Sequence, residues 1–444
     1  MIRFSRSDDI RSWGGVLRAP HEVARPSWIE DLPGALAGAR EKGLPLLATG
    51  LRRSYGDTCL NPEGALLDMT QLDRAISFDP QTRLLRAEAG ISFDTLLKML
   101  IRRGFFLPVT PGTRFVTLAG AIANDVHGKN HHRAGTIGRW VRRIGLLRSD
   151  GETLELTPSD NTGLFAATIG GLGLTGVIAW AEIEVMRIES AVMDAENIPF
   201  ANLDEFFQIA AESEEDYDYT VSWIDCLAKG RDLGRGLFTR GNHASKGARL
   251  PDRARPVLTM PVNLPGFCLN RLSIGAFNRL YYWNGKRKAG RGEIPIHPFF
   301  YPLDAIGHWY RMYGRRGMYQ YQSAVPQENQ RDATKAMLEA IAAAGQGSFL
   351  AVLKTFGDKP SPGMLSFPRP GTTLALDFPN RGRSTLQLMD RLDAIVREAG
   401  GRLYPAKDGR MPKDMFRAGY GQWQDFAQYV DPHFQSNFWK RVAQ

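Results

Sequence analysis

Cysteine is scarce: the 444 residues include only Cys59, Cys226 and Cys268. Three thiols without metal-ligand spacing point away from a disulfide framework and fit a reducing compartment. Long apolar runs are missing too, since no window reaches the roughly 18 uninterrupted apolar residues of a membrane-crossing helix. The stretch MIRFSRSDDIRSWGG has no apolar stretch or small-residue cleavage site of a secretion signal. These absences predict a cytoplasmic or peripherally membrane-bound protein. No low-complexity tract and no solenoid period is present. Acidic residues are the minority, 47 against 56 Lys and Arg, which leaves a formal charge of +9. That balance favours anionic partners. Zinc-finger, RNP-type and basic-zipper patterns are absent, so no nucleic-acid partner is expected. Basic residues concentrate at 139–148, 229–255 and 286–291.

A chain of this length exceeds one ordinary core and predicts two or three domains. From residue 32 to about 187, short strands and helices alternate. DLPGALAGAREKG reads as a helix and LPLLATG as a buried strand; ALLDMT, RAISFD and LLRAEAG are strand-like. SFDTLLKMLIRRG is an amphipathic helix with Phe93, Leu96, Leu97, Leu100 and Ile101 on one face and Ser92 as its cap. IGLLRSDGETLELTP predicts a hairpin turning at Asp150-Gly151, and VIAWAEIEVMRI a strand. After residue 189 the composition shifts. NLDEFFQIAAESEEDYDYTVSWID reads as helix then strand, and Pro, Gly and basic residues dominate 247–292. Two strand–helix units then follow: the strands YQYQSAVP and FLAVLKTFG with the helix RDATKAMLEAIAAAG between them, then the strand TTLALDFP with the helix RSTLQLMDRLDAIVREAGG, and RLYPAKD reads as an extended exit. They predict an antiparallel sheet covered by helices, hence a separate α+β domain.

Gly171, Gly173 and Gly176 in GGLGLTG fit the dinucleotide pattern G-x-G-x-x-G. That pattern has its mechanism only when a strand leads in and a helix leads out. Here β-branched and aromatic residues follow in strand rhythm, so the Rossmann reading fails on context. TGLRRSYGD and PGTRFVTLAGAIAND are further loops rich in Gly, Ser and Thr. Bare backbone N–H groups in such loops bind a pyrophosphate without side-chain charge. Several in one α/β-patterned region predict a large phosphate-bearing cofactor.

Histidine is also rare, yet His127, His131 and His132 of the eight fall within AIANDVHGKNHHRAG. A metal site, a structural cluster and a cofactor-contacting loop all remain open. Gly128, Lys129 and Asn130 disfavour a helix and put a cation among the would-be ligands, which argues against a metal.

RRSYGD, PVTPGTRFVTLAGAIANDVHGKNHHRAGTIG, LFAATIGGLGLTGVI, YQYQ, FLAVLKTFG, LDFP and GGRLYPAKD, in this order, make the chain resemble the decaprenylphosphoryl-β-D-ribose 2′-oxidase family. DVHGKNHH is the specific run. The family consists of FAD-dependent proteins of the vanillyl-alcohol-oxidase type. The resemblance implies an α+β architecture: a two-part PCMH-type FAD-binding domain (1–187 and 402–444) with a substrate domain of helix-covered antiparallel sheet (188–401) inserted. It implies flavin contacts from Arg53, Ser54, Tyr55, Gly56 and Asp57, from Pro111, Gly112, Thr113, Thr117 and Gly120, and from Asn124. It also implies that His127, Gly128, Lys129, Gly176, Ile178, Tyr404 and Lys407 approach the cofactor. Tyr55, Lys129, Gln322, Lys354 and Asp377 are expected at the substrate, and Trp223 in a matching strand.

The implied chemistry is oxidation of the C2 hydroxyl of a polyprenylphosphoryl ribose, with hydride passing to flavin N5 and a base taking the hydroxyl proton. His127 and Lys407 are both candidate bases. A short-chain reductase partner would complete an epimerisation towards the arabinose donor. A soluble sugar or other alcohol as substrate, and a non-catalytic flavin-binding scaffold, stay open. Departures from the pattern are specific. Arg53 stands where many relatives of the class carry the histidine that bonds covalently to FAD, so the flavin is expected to be non-covalent. Arg52 and Ala119 replace glycines, and Asn124 and Ala375 stand at positions that carry cysteine elsewhere. Finally, in NLPGFCLNRLSIGAFNRLYYWNGKRKAGRG apolar and aromatic residues alternate with Arg and Lys. That suits a segment lying on lipid headgroups as well as a core segment followed by a solvated loop.

Overall fold

A computed structural model describes residues 3–246 and 258–444. Part of the basic concentration at 229–255 therefore lies outside the described residues. The first sheet orders its strands Ser5–Arg11, Arg18–Ala24, Ala65–Asp68, Leu46–Thr49. Both Arg18–Ala24 and Leu46–Thr49 run parallel to Ala65–Asp68, so the chain crosses over through the helix Leu32–Glu41. That helix has a proline in its first turn and buries Leu32, Ala35, Leu36 and Ala39, one apolar stripe. Leu46–Thr49 feeds directly into the loop at 50–57.

The second sheet is antiparallel throughout, in the order Ala75–Asp79, Leu84–Glu88, Val177–Glu184, Val141–Leu147, Thr153–Leu156. The helix Phe93–Ile101 packs there with all five predicted apolar residues buried. Ser92 caps it, its hydroxyl accepting from the Thr95 N–H at 3.1 Å. The expected hairpin turns where Gly151 takes a φ of +96°. The strand Val177–Glu184 follows the glycine motif directly, as its residue types required.

The third sheet has eight strands: Gly290–Pro295, Val192–Phe200, Gly236–His243, Tyr219–Ile224, Ala351–Phe356, Gly371–Pro379, Met318–Pro326 and Arg402–Leu403. Every neighbouring pair is antiparallel. Period-two alternation splits it into two chemistries. Tyr321, Val325, Leu353, Leu374 and Leu376 face a core shared with the helices Leu203–Ser213, Gln330–Ala344 and Arg383–Glu398. Gln320, Gln322, Lys354, Thr373 and Asp377 point the other way, away from the helices.

RLYPAKD is extended for only two residues. Arg402–Leu403 pairs with Met318–Pro326 as the edge strand, and then the chain turns, with the Lys407 and Asp408 N–H groups both donating to the Tyr404 carbonyl. Pro405 has no N–H to continue the ladder, which favours the turn. The boundary expected at 401/402 thus runs through the edge of the large sheet. The segment 431–441 clasps the first 150 residues. Asp431 accepts from the Ser149 N–H and hydroxyl, and Arg441 pairs with Asp57 and Asp408.

Candidate active site

Between the polar face of the third sheet and a wall made of the loops at 48–59 and 110–129 lies a cavity of about 720 Å³, within the usual range for small-molecule sites. Most of the residues expected at a cofactor or substrate line it. They are Arg53, Ser54 and Tyr55; Pro111, Gly112, Thr113, Thr117 and Gly120; Asn124, His127, Gly128 and Lys129; and Gln322, Lys354, Tyr404 and Lys407. Five expected residues lie off its wall. A Cβ on Gly56 would sit 1.5 Å from the Asp408 carbonyl, so that glycine serves a backbone crossing. Asp57 is engaged by Arg441 and Asn437. Gly176, at φ +137°, starts the strand Val177–Glu184, and Ile178 is buried in the second sheet's core. Asp377 lies fully buried behind the wall, on the strand beside Gln320.

One end of the cavity has the features of a nucleotide cradle. Among the described residues, no hydrogen bond of the protein engages the N–H groups of Leu51, Arg52, Arg53 and Ser54. The side-chain oxygens of Thr49, Thr58 and Asn124 are buried on the same wall without a partner. Unmet polar atoms of this kind need a polar ligand or water. Thr117 caps the short helix Leu118–Ala123 through its hydroxyl, and Gly50 is required beside it, because a Cβ there would lie 2.1 Å from the Thr117 Oγ1. Arg52 has a φ of +49°, in the left-handed region where glycine is favoured. That explains the glycine expected at this position, and the Arg52 side chain is held by Asp68 at 3.3 Å. Arg53 stacks its guanidinium 3.8 Å from the Trp13 ring centre and donates to the Phe115 carbonyl. These residues fit the adenylate and pyrophosphate portion of FAD.

At the other end the charges are buried. Asp125, with φ +40°, anchors the histidine loop; its carboxylate accepts from the Gly138 N–H and from the hydroxyls of Ser361 and Ser366. Two residues on, the ring of His127 sits among Phe356, Phe367 and Tyr404. The Gln322 amide donates to its Nε2 at 3.2 Å, which leaves the ring proton on Nδ1. Burial, reinforced by the charges of Lys354, His131 and Lys407, holds the His127 pKa well below 6.5, so the imidazole is neutral. Lys129 donates to the Phe299 carbonyl and Lys354 to the Gly128 carbonyl. Burial brings each of these lysines down to about 7, helped for Lys354 by the charge of Lys129. Lys407 stands 4.3 Å from the Tyr55 ring centre. Its pKa is lowered by burial and drawn partly back by Asp377. Burial raises Asp377 in turn, against the pull of Lys407 and the Gln320 amide. Neither Asp377 oxygen meets hydrogen-bonding geometry with a protein donor. Tyr404 stacks on Phe367 and donates its hydroxyl to the Asn124 carbonyl.

The three histidines do not converge. His131 packs at a tilt against Phe356, and the His132 Nε2 reaches the Tyr217 carbonyl. Among the described residues no group of three His, Cys, Asp or Glu side chains could hold a metal ion.

Sequence reasoning missed Gln320, Leu172, Trp309 and Tyr310, all of which line the cavity. Gln320 had a readable signal, because it precedes Gln322 by two residues on one strand and must share its face. Trp309 and Tyr310 carried none, being brought there by a short helical turn, Trp309–Tyr313.

A glycine-lined cradle joined to a pocket of buried bases, on an α+β scaffold, defines an FAD-dependent oxidoreductase. Residues 20–157 match the FAD binding domain family. Across 441 residues the chain is 38% identical to the decaprenylphosphoryl-β-D-ribose oxidase of Mycolicibacterium smegmatis, covering 95% of this chain and 94% of that protein. It is 26% identical over 181 residues to a D-arabinono-1,4-lactone oxidase of Yarrowia lipolytica, 40% of this chain and 34% of the relative. It is also 27% identical over 170 residues to an L-gulono-1,4-lactone dehydrogenase of Mycobacterium tuberculosis, 38% of this chain and 39% of the relative. The chain belongs to the decaprenylphosphoryl-β-D-ribose oxidase family, and its cofactor is FAD.

Proposed function

We propose that this enzyme oxidises the C2 hydroxyl of a polyprenylphosphoryl-β-D-ribose to the 2-keto sugar. The observation that carries the reading is the pair Lys129 and Lys354, two buried cations whose hydrogen bonds go to backbone carbonyls. Such a pair suits a phosphodiester better than a neutral sugar, and the relative that aligns along nearly the whole chain is named for a phosphoryl-ribose substrate. In the substrate the C2–H and O–H bonds break as the C=O bond forms. Bound FAD supplies the hydride acceptor. Lys407 receives the hydroxyl proton. His127 is the weaker base, because Gln322 already occupies its Nε2 lone pair and nearby lysines oppose its protonation. It orients the substrate together with Gln322. On this reading residues 1–187 and 402–444 hold the cofactor, and 188–401 present the substrate. A short-chain reductase then reduces the keto sugar, so that the two steps invert C2 towards the arabinose donor of cell-wall arabinan.

Arg53 is not a nucleophile towards flavin at neutral pH, and its contacts with Trp13 and Phe115 keep it in place, which supports a non-covalent cofactor. The test is anaerobic titration of the FAD-loaded protein. A short-chain prenylphosphoryl ribose should bleach the flavin bands, whereas free ribose and aldonolactones should not. Bleaching by the soluble sugars alone would replace this reading with a soluble-alcohol oxidase. Acid precipitation of the same sample should leave the yellow colour in the supernatant.

A further inference from the structure

The basic aromatic segment singled out in the sequence forms the helix Arg271–Arg287, preceded by a short turn at Gly266–Cys268. Asn270 caps it, accepting from the Leu272 and Ser273 N–H groups. Only a narrow stripe touches the rest of the molecule. Ile274 and Asn278 are buried, Tyr282 donates to the Phe200 carbonyl, and Gly285 lies against Leu237, where any Cβ would collide at 2.2 Å. The opposite face repeats at 272, 276, 280 and 283, the spacing of one helix side. It presents Leu272 at 83% exposure, Leu280 at 63% and Trp283 at 55%, and Phe267 before the helix is 77% exposed. Arg271, Arg279, Lys286 and Arg287 surround them and are exposed. The sequence holds no Asp or Glu between 258 and 292. Large exposed side chains grouped on one helix face mark a binding surface rather than chance exposure.

This face is continuous with the cavity. Leu237 pairs in register with Trp223, and Tyr281 packs on Trp223 with ring centres 4.7 Å apart. Two residues before Trp223 on the same side of the strand, Val221 lines the cavity. The preceding segment joins the rim as well. Leu258–Thr259 pairs with Ile306–Gly307, which is part of the cavity wall, and Leu258 and Val262 are both 61% exposed.

We propose that this face seats on an anionic lipid bilayer. Leu272, Leu280 and Trp283 enter the boundary between headgroups and acyl chains, and the arginines and lysine lie among the lipid phosphates. The inference deepens the proposed function, since the prenyl tail of such a substrate stays in the bilayer while its sugar enters the cavity beside the helix. The surface itself consists of the helix and its charges and is independent of turnover. Among the described residues no helix is long and apolar enough to cross a membrane, so the contact is peripheral.

The experiment is co-sedimentation of the FAD-loaded full chain with phosphatidylcholine vesicles containing phosphatidylglycerol, and with pure phosphatidylcholine vesicles. Binding is expected with phosphatidylglycerol and should weaken as salt is raised. L272S/L280S/W283S and R279E/R287E should each bind at least about tenfold more weakly. Both should keep wild-type turnover of a water-soluble short-chain substrate. Failure of the wild type to sediment with the anionic vesicles, or equal sedimentation of wild type and both variants, overturns the proposal. So does a dimer in size-exclusion chromatography that the triple variant dissolves, because the face is then an interface between copies. If vesicles bind as expected and no prenylphosphoryl sugar bleaches the flavin, the substrate reading falls and the membrane surface stands.

Discussion

Two sets of buried lysines face the same cavity and are handled in opposite ways. Lys129 and Lys354 donate to main-chain carbonyls, which offer partial charge but cannot neutralise a cation. Lys407 lies on the aromatic face of Tyr55 with a carboxylate, Asp377, acting on it from behind the wall. A fold that buries a cation without an acid leaves it poorly tolerated until an anion arrives. A fold that buries an acid near a base keeps the net charge of the two low and tunes how firmly the base holds its proton. In the proposed reaction the first arrangement recognises a phosphodiester, and the second takes a proton from an alcohol.

The sharpest way to break this contrast is K407M. Loss of a general base costs about 10²–10⁴ in rate, so single-turnover bleaching of the flavin should slow by that order while the protein keeps its FAD. H127A should also lower turnover more than FAD retention, but by a smaller factor. Rates in the reverse order would make His127 the base.

K354M should act on binding. Removing one charge-assisted contact to phosphate corresponds to about 1.5–3 kcal/mol, or a rise in KM of roughly 10- to 100-fold, with kcat changed much less. The same substitution should raise the melting temperature of the flavin-loaded protein near pH 7. The unfolded lysine titrates near 10.4 and the folded one at about 7. Between these values the unfolded state binds more protons, so this group's contribution to stability improves as pH rises from 7 towards 10. Methionine removes that dependence. Substrate affinity runs the opposite way with pH, because the protonated lysines that attract phosphate are lost above about 7; KM for the wild type should climb on the alkaline side.

D377N has the smallest expected effect and a distinct signature. Asp377 helps Lys407 keep its proton, so without the carboxylate the base is freed at lower pH. The acid limb of the kcat/KM profile should shift downwards, whereas a purely structural change would lower the whole curve without moving it.

Much of the architecture was legible because single residues forced it. Ser92 before an apolar stripe gives a capped helix, and the β-branched run after Gly176 rules out a Rossmann turn whatever the glycine spacing. The glycines themselves were readable as close approaches but not for what they approach. Gly50 makes room for Thr117 in the cradle, while Gly56 makes room for the Asp408 carbonyl away from it. A missing Cβ looks the same in both. Asp377 likewise reads as one acid in an apolar strand, and only the pairing of Met318–Pro326 with Gly371–Pro379 sets it opposite Gln320. The rings around His127 come from three distant segments, 356, 367 and 404, and no local pattern can announce that meeting.

The clasp described above makes the cradle a joint product of segments hundreds of residues apart. The Tyr55 N–H donates to the Ala406 carbonyl, Asp57 pairs with Arg441, and the Ser149 hydroxyl donates to Asp431. An arginine that touches no wall of the cavity thus steadies the loop that builds it, so remote packing as well as the lining sets how firmly a cofactor is held.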